Sequence, residues 1–248
     1  MKKMKIHLPV YCNEIGLRES NEDAIYPGTP TEDSRLFMVC DGVGGQAKGE
    51  VASSLTCQGF SKYLSENPVE YIEDETYLPL ALQSVEQNLG TYLETHPEAK
   101  GMATTFTFLL ISDAEEKALV GWVGDSRVYH IRDGEILFQT KDHSVVQGMV
   151  DMGEITEEEA QTHPKRNIIT RAVNGVNSTR VDQHVITDIK KDDFFFLCTD
   201  GILEHLDEER ISLWFRGKAS VQEIKSEIME NAKDDTKDNY SMYIIRMG

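Results

Sequence analysis

Three short apolar segments of this chain run directly into, or directly out of, an aspartate. They are residues 37–40 before Asp41, residues 194–199 before Asp200, and residues 240–245 after Asp238 and Asn239. Such runs, rich in aromatic and β-branched residues, predict buried strands. If one strand ends in a carboxylate and its antiparallel neighbour begins with one, both carboxylates lie at the same edge of the sheet. Gathered carboxylates repel each other unless a divalent cation lies between them, so the pattern predicts a site for several metal ions.

Composition limits the classes of protein that fit. The chain has 248 residues, 40 % of them hydrophobic, which is typical of a globular protein. No repeat, low-complexity segment or Pro/Gly-rich linker divides it, so we expect one domain over residues 1–248. The net charge of −18 argues against nucleic acid or an anionic membrane as the main partner. No apolar run is long enough to span a bilayer or to act as a signal sequence, so we expect a cytoplasmic protein.

The cysteines carry no metal or disulfide signature. Cys12, Cys40, Cys57 and Cys198 are widely spaced, with no CxxC pair. Structural zinc and a disulfide framework are therefore not expected. Cys40 and Cys198 lie in apolar strands, which predicts that they pack in the core.

Helices are predicted where apolar residues recur at helical spacing, and strands where aromatic and β-branched residues cluster. The predicted helices are 51–64, 75–93, 202–215 and 221–232, and the predicted strands are 4–12, 103–111, 118–123, 127–131, 135–138, 183–186 and 194–199. Asp133-Gly134 predicts a hairpin turn. The link 124–126 is also short enough for a hairpin, with Asp125 at its tip. Paired helices and meandering strands favour an α+β fold with helices outside antiparallel sheets.

Six acidic residues occupy positions that suit metal binding: Glu22, Asp23, Asp41, Asp125, Asp200 and Asp238. Ligation by oxygen alone suits Mg²⁺ or Mn²⁺ and suits zinc poorly. No two histidines form an HxH or HExxH pair, which argues against a zinc hydrolase. Two such ions, roughly 3.5–4 Å apart, can hold a bridging hydroxide and stabilise an in-line displacement at phosphorus.

An ordered set of motifs along the whole chain resembles the PP2C (PPM) family of metal-dependent serine/threonine phosphatases, in its bacterial form. The motifs are GLRESNED at 16–23, DGVGG at 41–45, GMATT at 101–105, GDSR at 124–127, DHS at 142–144, ITRA at 169–172, TDG at 199–201 and DN at 238–239. Each motif is weak alone, but the set in this order is specific. The resemblance implies a four-layer αββα sandwich of two antiparallel sheets flanked by helix pairs, with metal ions at one end.

The resemblance also implies a set of ligands. Asp41 would bridge two core Mn²⁺ or Mg²⁺ ions. Glu22 and the carbonyl of Gly42 would bind one ion, and Asp200 and Asp238 the other. A metal-bridging hydroxide would then hydrolyse phosphoserine or phosphothreonine in one step.

Four further assignments come from the same resemblance. Asp125 would join Asp200 at a third, weaker metal site, Asp23 would orient metal-bound water, and Arg18 would bind the substrate phosphate. Residues 145–174 would form a flap subdomain that influences substrate choice. Three alternatives remain open at this point: Asp125 as the cap of a hairpin, Arg18 as a surface salt-bridge partner, and Asp23 as a structural turn residue.

One position departs from a common pattern of the family. Eukaryotic members often carry a histidine after the second-motif DG, proposed as the acid that protonates the leaving oxygen. Val43 stands there in this chain, so we expect the proton to come from elsewhere, with water on a third metal at Asp125 as the hypothesis.

The resemblance implies phosphorylated proteins as substrates and an opposing serine/threonine kinase as a partner, and we expect a monomer. A different interpretation is a phosphatase-like module that binds a phosphoprotein without turnover. That interpretation predicts the loss of a core ligand, yet Glu22, Asp41, Asp200 and Asp238 are all present. A two-metal nuclease is disfavoured by the acidic charge and the lack of a basic groove signature.

Overall fold

The computed structural model describes residues 3–43, 48–204, 206–217, 220–232 and 236–248. The strands in these ranges are β1 (Val10–Glu14), β2 (Ala24–Tyr26), β3 (Leu36–Cys40), β4 (Gly42–Val43), β5 (Ala103–Thr104), β6 (Phe106–Ser112), β7 (Lys117–Val123), β8 (Arg127–Arg132), β9 (Glu135–Gln139), β10 (Asp182–Ile186), β11 (Phe194–Cys198) and β12 (Tyr240–Arg246). The helices are α1 (Gly49–Glu66), α2 (Tyr77–Thr95), α3 (Val145–Asp151), α4 (Glu157–Thr162), α5 (Asp200–Leu203), α6 (Glu208–Trp214) and α7 (Val221–Ala232).

Two five-stranded antiparallel sheets form the centre of the fold. The first sheet has the order β1-β12-β11-β8-β9, and the second has the order β10-β7-β6-β3-β2. A small ladder joins β4 to β5 beside them. The register pairs Cys198 of β11 with Met242 of β12, so the C-terminal end of β11 lies beside the N-terminal end of β12.

Side-chain alternation along the strands explains the layers. Phe195 and Leu197 of β11 point into a core between the two sheets, where Phe37 and Val39 of β3 also lie. The neighbouring residues of each strand point outward and require a second cover. Phe196 of β11 contacts a separate cluster beneath the C-terminal helices.

Helices cover both outer faces. On the second sheet, α1 and α2 bury Phe60 and Leu82 against strand residues such as Phe108. On the first sheet, α7 buries Ile224 and Ile228 against the outward side chains of β11 and β12. The result is the four-layer αββα sandwich that the sequence predicted, and the helices predicted at 51–64, 75–93 and 221–232 are confirmed.

Three predicted elements have different bounds. The strand predicted over residues 103–111 is divided at Thr105 into β5 of the small ladder and β6 of the second sheet. The strand predicted over residues 4–12 is regular only in β1, and before it Ile6 forms one isolated bridge with Met247. The helix predicted over residues 202–215 is two helices, α5 and α6. The second begins at Asp207, whose side chain accepts a hydrogen bond from Arg210 N at 2.8 Å. An N-cap of this kind starts a new helix because it satisfies a free backbone donor.

The hairpin predicted at Gly124–Ser126 is wrong. The strand before this link, β7, pairs with β6 and β10, whereas β8 after it pairs with β9 and β11 of the other sheet. The link therefore crosses from one layer to the other. Gly124 has a φ of +104°, a conformation that glycine adopts without strain. The hairpin at Asp133-Gly134 is confirmed by the pairing of β8 with β9.

The helices α3 and α4 lie in the segment 145–174. Thr156 starts α4 with a capping box, in which its hydroxyl accepts from Glu159 N and the Glu159 carboxylate accepts from Thr156 N. The three glutamates at 157–159 in this helix are all exposed. The four cysteines are buried and free. No helix in the described ranges combines the length and apolarity that a bilayer crossing needs.

Candidate metal centre and active site

The predicted acidic residues come together at one edge of the two sheets. Asp200 follows β11 and Asp238 precedes β12, and these two strands pair antiparallel. Asp41 follows β3 of the other sheet, and Asp125 lies in the link that crosses between the sheets. These carboxyls lie close enough to interact. Burial and the negative charges of Asp23, Asp200 and Asp125 together raise the pKa of Asp41.

Burial and mutual repulsion raise the pKa values of the neighbouring carboxyls as well. Burial raises the pKa of Asp125 to about 8, with repulsion from Asp200 adding to it. Burial likewise raises the pKa of Asp23 to about 7, although the hydrogen bond from the Thr199 hydroxyl opposes the shift. The pKa of Asp200 is raised by burial too. Nearby cations offset these shifts only in part: Arg127 lowers the pKa of Asp125 less than burial and Asp200 raise it.

Two carboxylate oxygens in this cluster have no hydrogen-bond donor among the described residues. They are Oδ1 of Asp23 and Oδ1 of Asp200, both fully buried. The other oxygen of Asp23 accepts from the Thr199 hydroxyl at 3.0 Å. A buried polar atom without a partner costs about 1–3 kcal/mol, and more if charged. Oxygen donors of this kind, in a cluster where negative charge predominates, fit a hard divalent ion such as Mg²⁺ or Mn²⁺.

Arg18 is the cation nearest the edge of this cluster. Its Nη2 donates to Oδ2 of Asp238 at 2.7 Å, and its Nε donates to the carbonyl of Lys237 at 3.2 Å. The ion-pair alternative for Arg18 is thus observed, and its partner is a predicted metal ligand. Within the described ranges, no three His, Cys, Asp or Glu side chains converge closely enough to coordinate one ion. The carboxylate of Asp238, one of the predicted ligands, pairs with Arg18 instead of joining such a group.

Glu22 and Gly42 lie at the N-terminal end of α1. The Glu22 carbonyl accepts from Gly42 N at 3.1 Å and from the Ser53 hydroxyl of α1 at 2.6 Å. Burial and the nearby Glu50 raise the pKa of Glu22. Gly42 pairs with Thr104 in the small ladder. The predicted turn continues through Gly44 and Gly45, which lie outside the described residues.

Hydroxyl groups fix the backbone of Asp41. Thr105 Oγ1 accepts from Asp41 N at 2.9 Å, and Thr104 Oγ1 donates to Asp41 O at 2.8 Å. Thr105 Oγ1 also shares a 2.8 Å hydrogen bond with the Ser126 hydroxyl, next to Asp125. The sequence alone assigned no role to the two threonines. Their position inside the GMATT motif was the available signal for a closer role.

A second polar network connects the Asp125 link to the segment 145–174. His143 Nδ1 accepts from Gly124 N at 3.1 Å, and His143 Nε2 lies 3.1 Å from Asp182 Oδ2. Arg171 Nη1 donates to Asp182 Oδ1 at 2.9 Å. His143 therefore forms hydrogen bonds that support the fold on both sides of its ring. Its partner Asp182 was not singled out, because nothing near it in sequence marks it.

Comparison with known proteins identifies the family. The model of the family described as "Protein phosphatase 2C" matches residues 15–235. The serine/threonine protein phosphatase PstP of Mycobacterium tuberculosis is 35 % identical over 197 residues, which cover 79 % of this chain and 36 % of that protein. This chain therefore matches little more than a third of the length of that relative.

Solved phosphatase structures are similar to this chain over nearly its full length. The serine/threonine phosphatase Stp1 of Staphylococcus aureus superimposes with a TM-score of 0.86 at 30 % identity, covering 100 % of this chain and 98 % of that one. The catalytic domain of PstP in complex with two manganese ions superimposes with a TM-score of 0.79 at 28 % identity, covering 98 % of this chain and 99 % of that one. With its two-sheet sandwich, its acidic edge and the match over residues 15–235, this chain belongs to the protein phosphatase 2C family.

Proposed function

We propose that this chain is a metal-dependent protein serine/threonine phosphatase of the bacterial PP2C type. The observation that carries the proposal is the acidic edge. There, buried carboxyls with raised pKa values leave two oxygens without a donor among the described residues. A chain of this family keeps such an unfavourable cluster only if a cation from solution completes it.

The proposed ligands follow from that edge. Asp41 would be shared by two ions, with Glu22 and the Gly42 carbonyl on one side and Asp200 and Asp238 on the other. The two manganese ions of the PstP catalytic domain support this number. Mn²⁺ or Mg²⁺ bound there would lower the pKa of a water molecule and neutralise charge on phosphoryl oxygens.

A third ion is proposed at Asp125. The carboxyl of Asp125 is buried and repelled by Asp200, which is the setting in which another cation is favourable. The Thr105–Ser126 hydrogen bond would keep this turn in register with Asp41.

Arg18 and Asp23 would act on substrate and water. Arg18 is about half exposed at the rim, where its guanidinium can form two parallel hydrogen bonds to a phosphate. Asp23 keeps one carboxylate oxygen free of any described donor, so that oxygen is available to accept a hydrogen bond from a water molecule. The hydroxyl of Thr199 holds the other oxygen and fixes the orientation of the carboxylate.

The proposed substrates are phosphoserine and phosphothreonine in proteins, and an opposing serine/threonine kinase is the proposed counterpart. Residues 1–248 would form one PP2C-like domain, with residues 145–174 as a flap that affects substrate choice. We further propose a monomeric cytoplasmic protein. The net charge of −18 supports local rather than long-range attraction of a phosphate, through Arg18 and bound metal.

A phosphate-release assay tests the proposal. Wild-type protein with a phosphothreonine peptide should release phosphate in Mn²⁺, stop in excess EDTA, and recover when Mn²⁺ is restored. Asp41→Asn should reduce turnover by at least about a hundredfold, because the loss of metal binding removes several kcal/mol of transition-state stabilisation. Asp33→Asn, at an exposed surface pair with Lys3, serves as the control and should leave turnover unchanged. A metal-loaded wild type without turnover would instead favour the module that binds phosphoproteins without hydrolysis.

A further inference from the structure

The segment that carries Arg18 and Glu22 has no helix or strand of its own. This segment, residues 15–22, is called the Arg18 loop here. One amide side chain spans it: Asn239 Nδ2 donates to Ile15 O at 2.8 Å and to Ser20 O at 2.9 Å. The Asn239 Oδ1 accepts from Glu22 N at 2.8 Å. Asn239 is only 4 % exposed, and both its amide hydrogens are used on the loop.

The same loop is seated against the residues that precede Asn239. Leu17 N donates to Thr236 O at 3.2 Å, and Arg18 Nε donates to the carbonyl of Lys237. Gly16 has a φ of +59°, and a Cβ there would lie 2.0 Å from the carbonyl oxygen of Asp238. The backbones of the two segments are therefore in direct contact.

Asn239 also orders the carboxylate beside it. Its backbone N donates to Asp238 Oδ1 at 2.8 Å, while Asp238 Oδ2 accepts from Arg18. One residue thus touches both sides of the site: the proposed metal ligand Asp238, and the loop with the proposed phosphate-binding Arg18.

We propose that Asn239 is a positioning residue that fixes Arg18 and Glu22 relative to the acidic edge. This inference rests on the proposed function, since it assigns a role within the same site. The chemistry requires an amide. An aspartate would direct a carboxylate oxygen at two carbonyl oxygens, and a serine has a single donor for the same two acceptors.

The consequence for function is a loss of phosphate binding rather than a general loss of stability. A loosened Arg18 loop removes a charge-assisted grip on the phosphoryl group, so the KM for a phosphopeptide and the inhibition constant for inorganic phosphate should both rise. One lost charge-assisted hydrogen bond corresponds to about tenfold in each constant.

The test uses Asn239→Ser and Asn239→Asp in the full chain. Hydrogen exchange of the amides in residues 15–22 should become faster in both variants, while exchange in β11 and β12 stays slow. In the Mn²⁺-loaded enzyme, the inhibition constant for inorganic phosphate should rise about tenfold. In an Arg18→Ala background, Asn239→Ser should change that constant by less than about twofold, because residues that act through one another are not additive.

Two controls separate positioning from folding. Asn67→Asp makes the same change at an exposed position after α1, where the amide donates to Tyr63 O, and should affect neither measurement. His130→Leu removes a buried hydrogen bond to Asp193 and should lower stability without altering phosphate inhibition. Unchanged exchange in the Arg18 loop of folded Asn239→Ser would overturn the proposal, as would an equal rise in the inhibition constant with and without Arg18. Exchange needs no turnover, so it decides the role of Asn239 even if the wild type proves inactive.

Discussion

An aspartate with a buried carboxylate lies at each end of β11, and the surroundings of the two carboxylates shift their pKa values in opposite directions. Asp193 directly precedes the strand and Asp200 follows it, so about 3.3 Å per residue separates them by roughly 23 Å. Burial alone would raise the pKa of Asp193, but hydrogen bonds from Arg132 and His130 outweigh it and lower that pKa to about 2. The pKa of Asp200 is raised instead.

The partners explain the difference. Asp193 Oδ1 accepts from Arg132 Nε at 2.7 Å, and its Oδ2 accepts from Arg132 Nη2 and Lys190 N, each at 2.8 Å. Asp200 has acidic neighbours and one buried oxygen without a described donor. A buried carboxylate needs a countercharge. The Asp193 end contains its own, whereas for the Asp200 end we propose a cation bound from solution.

The largest expected contrast is in turnover. Asp200→Asn should reduce phosphate release from a phosphothreonine peptide by at least about a hundredfold, because it removes a proposed metal ligand. Asp193→Asn should keep kcat within about threefold once the protein is folded, since it alters only the remote end. Comparable losses in the two folded variants would break the comparison.

For the free energy of unfolding the order of the two variants should be reversed, with the larger effect at Asp193→Asn. In EDTA, Asp193→Asn should lower the free energy of unfolding by about 3 kcal/mol, because it removes the carboxylate that pairs with the buried His130 and the partly buried Arg132. Asp200→Asn should leave that free energy unchanged or raise it, since it removes a source of repulsion. Urea unfolding followed by circular dichroism measures both. A marked destabilisation by Asp200→Asn in EDTA would show that this end, too, is satisfied internally.

The pH dependence sharpens the same contrast. The lowered pKa of Asp193 contributes stability that is present above pH of about 4 and is lost as the pH falls toward 2. The raised pKa values of Asp23, about 7, and Asp125, about 8, act in reverse, so metal-free protein should lose stability as the pH rises from about 4 to 8. Saturating Mn²⁺ should remove most of the loss at the alkaline side. Unfolding midpoints at several pH values, with EDTA or Mn²⁺, would refute this account if metal-free stability rose steadily to pH 8.

The smallest effect is expected at Asp182, which joins both ends of the segment 145–174 through His143 and Arg171. Asp182 is about one-third exposed, so Asp182→Asn should cost only about 1 kcal/mol of stability. The KM for a phosphopeptide should rise a few-fold, while the KM for p-nitrophenyl phosphate stays constant because that small substrate does not reach the segment. An equal change for both substrates would place the effect at the metal centre instead.

The comparison also indicates what the sequence could reveal. Asp41, Asp200 and Asp238 were predictable, because each ends or begins an apolar strand and antiparallel pairing brings such ends together. The crossing between layers at Gly124 was not predictable. A short link between two strands predicts a hairpin unless the long-range partners of those strands are known. Asn239 lies 224 residues from Ile15, so its hydrogen bonds leave no local pattern.

The same limit applied to the support around the metal centre. The hydroxyls of Thr105 and Ser126 flank β6 and β7, and they meet because these strands pair with Phe106 opposite Val123, a register that no local pattern reveals. The pairing of Arg18 with Asp238 likewise depends on the contact between the two loops. Strand ends and motifs thus revealed the charged groups, while the polar atoms that orient them became visible in the fold.

Direct titration of Mn²⁺ tests the central claim most directly, because it asks whether the Asp200 end receives its countercharge from solution. Calorimetry should show at least two bound ions in the wild type and in Asp193→Asn, and an affinity reduced by at least about a hundredfold in Asp200→Asn. Binding of Mn²⁺ to Asp200→Asn with wild-type affinity and stoichiometry would contradict the assignment of this edge as the metal centre.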